Sequence, residues 1–269
     1  MREHKIRAVL SLLLGVVLIE LATIPFFEIA ALTTENPPES ALMRQRLRES
    51  ENSGHPIRLM HQWIPLARLP RHLMDAVVVA EDGTFYTHGG VDWFEVRESI
   101  DKNIKERRTA RGASTITQQL AKNLYLSTSK DPVRKLKELV ITLLMEQKLG
   151  KDRILEIYLN IIEWGPGIFG VEAASRAYFD KSAAHLTLDE ATRLAAVIPS
   201  PLRHRPDQES RYVLRRKAFV LRRMAARNMV GIEAAGVLVS AADSSAGGTE
   251  SSTLLPDSTE GQEEGPDGL

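Results

Sequence analysis

A chain of 269 residues with 43% apolar and 26% charged side chains carries enough apolar material for one large domain or two small ones, which excludes a wholly disordered chain. It has no cysteine, so disulfide frameworks and thiolate metal sites are excluded. The net charge of zero hides an asymmetry: residues 231–269 hold eight acidic side chains and no Lys or Arg, leaving 35 basic against 27 acidic in the first 230, a surplus of eight. A basic body fits an anionic partner, whether lipid headgroup, phosphate or nucleic acid.

Arg2, Lys5 and Arg7 precede an apolar run, Ala8–Ile19, that resumes over Leu21–Phe27 after Glu20. Read as one span, Ala8–Phe27 has about the ~20 residues that cross a bilayer. The positive flank places the N-terminus in the cytoplasm and the body outside. Glu20 would cost about 2–3 kcal/mol at mid-bilayer. A signal peptide is the competing reading, but no convincing small-residue cleavage site follows, which favours an anchor over residues 1–32. Both readings export the body. Residues 33–56 are polar, hold Pro37, Pro38 and Pro56, and read as a linker with a short helix around Ala41–Arg48. The folded body is expected over 57–239. Residues 240–269 lack aromatics, are rich in Ser, Gly and acid, and read as an acidic disordered tail.

Within the body the pattern is mainly helical. Ala76–Val79 is β-prone but reads equally as a buried helix. Asp131 caps a helix with Pro132 at its first position, and Leu136, Leu139, Val140, Leu143 and Leu144 give it an apolar face. Gly150 stops it. The next helix is expected after Asp152 and carries Ile154, Leu155, Tyr158 and Ile161 into the core. Val171–Phe179 is a further short helix. Thr187 and Glu190 form a capping box before Leu194–Val197, and Pro199 follows the end.

Three segments carry chemistry. Glu81 and Asp82 follow the apolar stretch Ala76–Ala80 and precede Phe85, Tyr86, His88, Gly89, Gly90 and Asp92. A carboxylate at the edge of an apolar segment has its charged form disfavoured, which raises its pKa toward the range a general base needs. The plainer reading is an acidic helix cap. Ser114–Gln119 follows Gly112-Ala113 and holds five hydrogen-bonding side chains in six residues. Ser114 is the expected N-cap, so backbone N–H groups there would face an anion or sugar. Lys122 and Asn123 follow one turn later. Arg134 and Glu138 share a helix face beside Lys135, with Lys130 close in sequence. They read either as a surface ion pair of little worth or as a carboxylate among cations where a phosphate departs.

Two patterns are set aside. Gly165-Pro166-Gly167-Ile168-Phe169-Gly170 matches G-x-G-x-x-G but follows no expected strand and contains proline. Ser127-x-x-Lys130 matches an acyl-serine motif, but neither S-D-N nor K-T-G occurs. No pair of histidines has helical metal spacing, so no zinc site is expected.

Together these segments resemble the family-51 peptidoglycan glycosyltransferases over about Ile57 to Arg227. Five family motifs stand in order: E-D-x-x-F-x-x-H-x-G at Glu81–Gly90, G-[GA]-S-T-I-T-Q-Q at Gly112–Gln119, R-K-x-x-E at Arg134–Glu138, K-x-x-I-L-E-x-Y-L-N at Lys151–Asn160, and A-A-V-I-P-S-P at Ala195–Pro201. The stretch Glu163–Phe179 is similar to the monofunctional branch, as is Ala113. Only Leu202–Leu269 follow the last motif, too few for a transpeptidase domain. Gly83 is less usual between Asp82 and Phe85.

The resemblance implies a mainly α fold: a lysozyme-like large lobe with a smaller membrane-proximal jaw lobe, preceded by one transmembrane helix in the bacterial inner membrane. It implies polymerisation of lipid II onto a growing glycan strand, with the membrane and cell-wall synthesis proteins as partners and no nucleic acid. Glu81 matches the general base and Glu138 the second essential carboxylate, which either orients cations or helps hold a divalent ion, Mg or Mn. No organic cofactor is expected. Lys122, Lys130, Arg134 and Lys135 are the candidates to receive the leaving diphosphate. Ser114, Gln118, Gln119 and Asn123 match positions that contact sugar and phosphate. Two other readings stay open at this point: a lysozyme-like peptidoglycan-cleaving enzyme, which needs no cation patch, and a non-catalytic membrane-tethered scaffold.

Overall fold

The structure, a computed structural model, describes residues 22–106 (backbone only for 100–106), 114–128 and 131–231, with single positions 4, 7, 11, 14, 15, 20, 236, 238 and 239. Its helices are α1 (Phe26–Ala31), α2 (Ala41–Asn52), α3 (Arg71–Glu81), α4 (Trp93–Glu106), α5 (Ile116–Tyr125), α6 (Pro132–Lys148), α7 (Lys151–Ile161), α8 (Val171–Phe179), α9 (Leu188–Val197) and α10 (Arg211–Ala226). Helix α3 packs on α9 and α10, whereas α5 packs on α2, α6 and α7. One apolar core joins the two groups through Leu73, Phe85, Leu120, Met145, Tyr158 and Trp164, all fully buried. Each such side chain contributes about 1.5–3 kcal/mol of burial.

Local chemistry sets the boundaries. The Asp131 carboxylate accepts from Arg134 N at 2.7 Å with Pro132 in the first turn, and the Thr187–Glu190 capping box is formed. Leu149 is the C-cap of α6, and Gly150, directly after it, serves as N-cap of α7, which therefore opens at Lys151 rather than after Asp152. Asp152 sits in the first turn instead, where a negative charge suits the helix dipole. The β-branched run Val77–Val79 lies inside α3, because burying it against α9 and α10 outweighs its strand propensity.

The segment Gly165–Gly170 forms the turn and second strand of a hairpin. Strands β1 (Met60–His61), β2 (Glu163–Gly165) and β3 (Ile168–Phe169) make a sheet of order β1-β3-β2, with β3 parallel to β1 and antiparallel to β2. Strands of two or three residues leave almost no alternation to read in a sequence. Gly170 has φ +81°, and a β-carbon there would stand 2.5 Å from the Asn160 carbonyl oxygen. Asn160 is fully buried and clamps the chain entering α3: its Oδ1 accepts from Ile64 N at 2.8 Å, while Nδ2 donates to Ile64 O at 2.9 Å and Glu156 O at 2.8 Å.

The linker reading of 33–56 needs correcting. The expected short helix runs to Asn52 and is docked, with Leu42 and Met43 packing on Phe169. Arg46 donates from Nε and Nη2 to the buried Glu163 carboxylate at 2.9–3.0 Å. Ile24, Ile29 and Leu32 also join the main core, so the packed body begins well before residue 57. Among the described residues no helix is long and apolar enough to cross a membrane. Half of the span expected over Ala8–Phe27, and the whole tail expected over 240–269, lie outside the described residues. Glu20 is described, and it has a partner on α6: Lys137 Nζ lies 3.3 Å from its carboxylate and donates to Thr23 Oγ1 at 2.5 Å.

Asn160→Ala would leave the Ile64 N–H and C=O buried without partners, a loss of about 2–4 kcal/mol. Denaturant unfolding monitored by circular dichroism should show that drop in stability; an unchanged midpoint would contradict the clamp.

Candidate active site

The site is built where α3 ends and α5 begins. Glu81 is the last residue of α3 and Asp82 its C-cap. The Asp82 carboxylate accepts from Ile116 N, the first N–H of α5, at 3.0 Å, and its other oxygen faces His88 Nε2 at 2.9 Å. An anion at a helix N-terminus meets unsatisfied N–H groups and the positive end of the dipole. Here that anion belongs to the protein. Thr115, not Ser114, is the N-cap of α5: its hydroxyl accepts from Gln118 N, and Gln118 Oε1 accepts from Thr115 N at 3.0 Å. Thr115 Oγ1 donates in turn to Gly90 O at 2.6 Å. Gln118, expected to meet substrate, is thereby buried in the capping box. Ser114 stays exposed.

Gln119 faces Glu81 instead. Its Nε2 donates to Glu81 Oε2 at 2.8 Å, and its Oε1 accepts from the Tyr158 hydroxyl at 3.0 Å. Burial pushes the Tyr158 phenol well up, with Glu81 and Asp82 adding to the effect, so the hydroxyl keeps its proton and its donor role. Glu81 Oε1 faces Arg216 Nη2 at 3.9 Å, and the Glu81 side chain is only 9% exposed. Burial raises the Glu81 pKa above its ordinary 4.5 and Asp82 adds to the rise, while Gln119, Arg216 and Lys122 oppose it. The expected raised carboxyl is thus present, with burial as the first cause.

The second carboxylate lies among cations. Glu138 is buried, accepts from Arg134 Nη1 at 2.8 Å and from Lys135 Nζ, and so is no loose surface pair. Lys122 is half-buried on α5 within electrostatic reach of Glu81 and Glu138. Burial lowers its pKa first, Glu138 and Glu81 raise it, and Arg134 and Lys135 lower it further. Asn123 is half-buried next to it in the chain. Lys130 lies outside the described residues. Both Glu138 oxygens are committed to Arg134 and Lys135. Among the described residues no group of three His, Asp or Glu side chains is placed to hold a metal ion.

Sequence reasoning did not reach α10. Arg216, Arg223 and Arg227 line a cavity of about 240 Å³ together with Glu81, Gly83 and Ser114. The signal was available: Arg216 and Arg223 are seven residues apart on α10, Arg227 follows four residues later as its C-cap, and the same helix carries Val213, Val220, Leu221 and Met224 into the interior.

A folded-state pKa raised above the unfolded value means that ionised Glu81 costs stability above that raised pKa, and that the cost vanishes below the ordinary carboxylate value. Glu81→Gln should therefore melt higher than the wild type at pH 7–8, and the gap should close as pH falls toward 4.5. A variant that melts lower at neutral pH would contradict this.

Residues 51–225 match the family model described as Transglycosylase. A protein of Methylobacillus flagellatus named biosynthetic peptidoglycan transglycosylase is 44% identical over 80% of this chain and 94% of its own length. Proteins of the same name from Herminiimonas arsenicoxydans and Aromatoleum aromaticum are 39% and 47% identical, over 79% and 63% of this chain and 93% and 74% of theirs. The chain belongs to the transglycosylase family.

Proposed function

We propose that this chain is a peptidoglycan glycosyltransferase that polymerises lipid II into β-1,4-linked glycan strands, with Glu81 as the general base. The observation that carries the reading is a buried, proton-attracting carboxylate, Glu81, coupled through Lys122 to a preassembled group of cations around Glu138. Its relatives are named as biosynthetic enzymes. A cleaving enzyme would expel a sugar oxygen and have no use for Lys122, Arg134 and Lys135.

In this reading the acceptor 4-hydroxyl gives its proton to Glu81 as its oxygen attacks C1 of the donor sugar. The C1–oxygen bond to the diphosphate breaks with inversion. A sugar hydroxyl is a very weak acid, so proton transfer accompanies attack. Gln119, held by Tyr158, aims one Glu81 oxygen and leaves the other toward the pocket. Lys122, Arg134 and Lys135 stand where charge collects on the leaving diphosphate, and being in place beforehand they need not reorganise during the reaction. Glu138 orients two of them. Ser114 and Asn123 are the remaining sugar and phosphate contacts of the reading.

The architecture is read as a lysozyme-like lobe with a smaller jaw, tethered by a single-pass N-terminal anchor outside the cytoplasm of a bacterial cell. The exposure of Phe27, Trp93 and Phe94 supports contact with a membrane, since aromatic rings favour the lipid interface. Enzyme and substrates would then share one surface, which raises their effective concentration.

Polymerisation of fluorescent lipid II in detergent tests the reading. Glu81→Gln should lower kcat roughly 100- to 10,000-fold, the usual share of general-base catalysis. Glu138→Gln should lower it too and destabilise the fold, because Arg134 and Lys135 lose a charged partner at a buried carboxylate. A folded wild type that makes no polymer would overturn the assignment, and a fully active Glu81→Gln would remove the base.

A further inference from the structure

Helix α10 carries a second set of arginines apart from the cavity. Arg211, Arg215 and Arg222 are exposed and, at 3.6 residues per turn, fall within about 40° of one another around the helix. Arg216 and Arg223, which line the Glu81 cavity, stand roughly 80–140° further round. The rings of His204 and Tyr212 stack with centroids 3.8 Å apart, which brings exposed Arg203 to the same end of the helix as Arg211.

The carboxylates around this face are taken by other cations. Asp189 pairs with Lys217 and Arg193, Glu209 with Arg193 at 2.6 Å, and Asp207 with Arg205 at 2.6 Å. The first turn of α10 holds no acidic residue. Among the described residues, Arg203, Arg211 and Arg215 have no carboxylate within ion-pair distance. Arg211 and Arg215 are one turn apart, where like charges repel. An anionic segment laid along them relieves that repulsion.

The chain itself returns to this face. Val239 packs against Leu214 and Ala218, which form a small apolar cluster of their own. Leu214 directly precedes Arg215, and Ala218 lies one turn before Arg222. Residues 240–269 continue from that point with seven acidic side chains and no Lys, Arg or His. The first of them, Asp243, is four residues past Val239, a reach of about 14 Å. Thirty residues reach about 100 Å when extended, several times the roughly 24 Å length of α10. We propose that this acidic tail folds back on its own chain and docks along Arg203, Arg211 and Arg215, with Arg222 continuing the track. It forms an electrostatic strap that keeps the basic face from other polyanions.

Intramolecular energy transfer in the full chain tests this. The protein has no cysteine, so Gln208→Cys, exposed just before α10, and Ser258→Cys in the tail give two unique labelling positions. Transfer should be high at about 0.01 M salt and fall steeply by about 1 M, as the Debye length shrinks from about 30 Å to about 3 Å. It should fall at low salt in Arg211→Gln/Arg215→Gln, and in a tail with Asp243, Asp257 and Asp267 changed to Asn and Glu250, Glu260, Glu263 and Glu264 changed to Gln. Arg48→Gln, exposed on α2, is the control and should leave transfer unchanged. Circular dichroism confirms that each variant is folded. Equal low-salt transfer in the wild type and both charge variants overturns the proposal. A fall with the neutral tail but not with Arg211→Gln/Arg215→Gln moves the tail to another surface and overturns this docking site. Transfer that arises only between chains, in mixtures labelled one position per chain, places the tail on a second copy and overturns the strap.

Discussion

The site depends on one buried carboxylate that does no chemistry. Asp82 ends α3 and takes the first N–H of α5, so the two helix groups meet at a charge-assisted bond. Such bonds are shorter and stronger than neutral ones. His88 holds the other Asp82 oxygen, and Thr115 binds Gly90 from the same corner. Glu81 precedes Asp82 directly, so its backbone is fixed by that joint. Gln119 lies one turn into α5 and is placed by the same joint. Glu81 and the Gln119 amide that meets it are thus positioned by a single contact between two helix ends.

This arrangement trades stability for reactivity. Apolar packing around α3 withdraws Glu81 from water, and the rise in its proton affinity is the direct consequence. A full ion pair would cancel that rise. Arg216 stands 3.9 Å away, close enough to temper the charge but beyond hydrogen-bonding distance. Glu138 is the contrast: more deeply buried, it is neutralised by Arg134 and Lys135, which suits a carboxylate that positions cations. The two carboxylates thus differ in whether a cation hydrogen-bonds to them.

Much of this was legible in the chain. Capping residues announced α6 and α9, because Asp131, Pro132, Thr187 and Glu190 act locally. Glu81, Glu138, Arg134 and Lys135 stood out because charge beside apolar runs is rare in sequence. What escaped depends on distant partners. Ser114 and Thr115 are equivalent caps on paper, and only the reach of Thr115 to Gly90 separates them. Gln118 and Gln119 are indistinguishable until one is folded into the cap and the other is turned to Glu81. The docking of α2 rests on Arg46 reaching Glu163, 117 residues away. The α10 arginines read as an ordinary basic helix face until Gly83 is seen against them.

The central claim is that Glu81 works as a base because it is buried. The pH dependence of the single-turnover polymerisation rate tests it most directly. The account predicts that the rate falls with decreasing pH through a midpoint clearly above 4.5, the ordinary value for a glutamate, while the protein stays folded. A rate that holds constant down to pH 4.5 would contradict it.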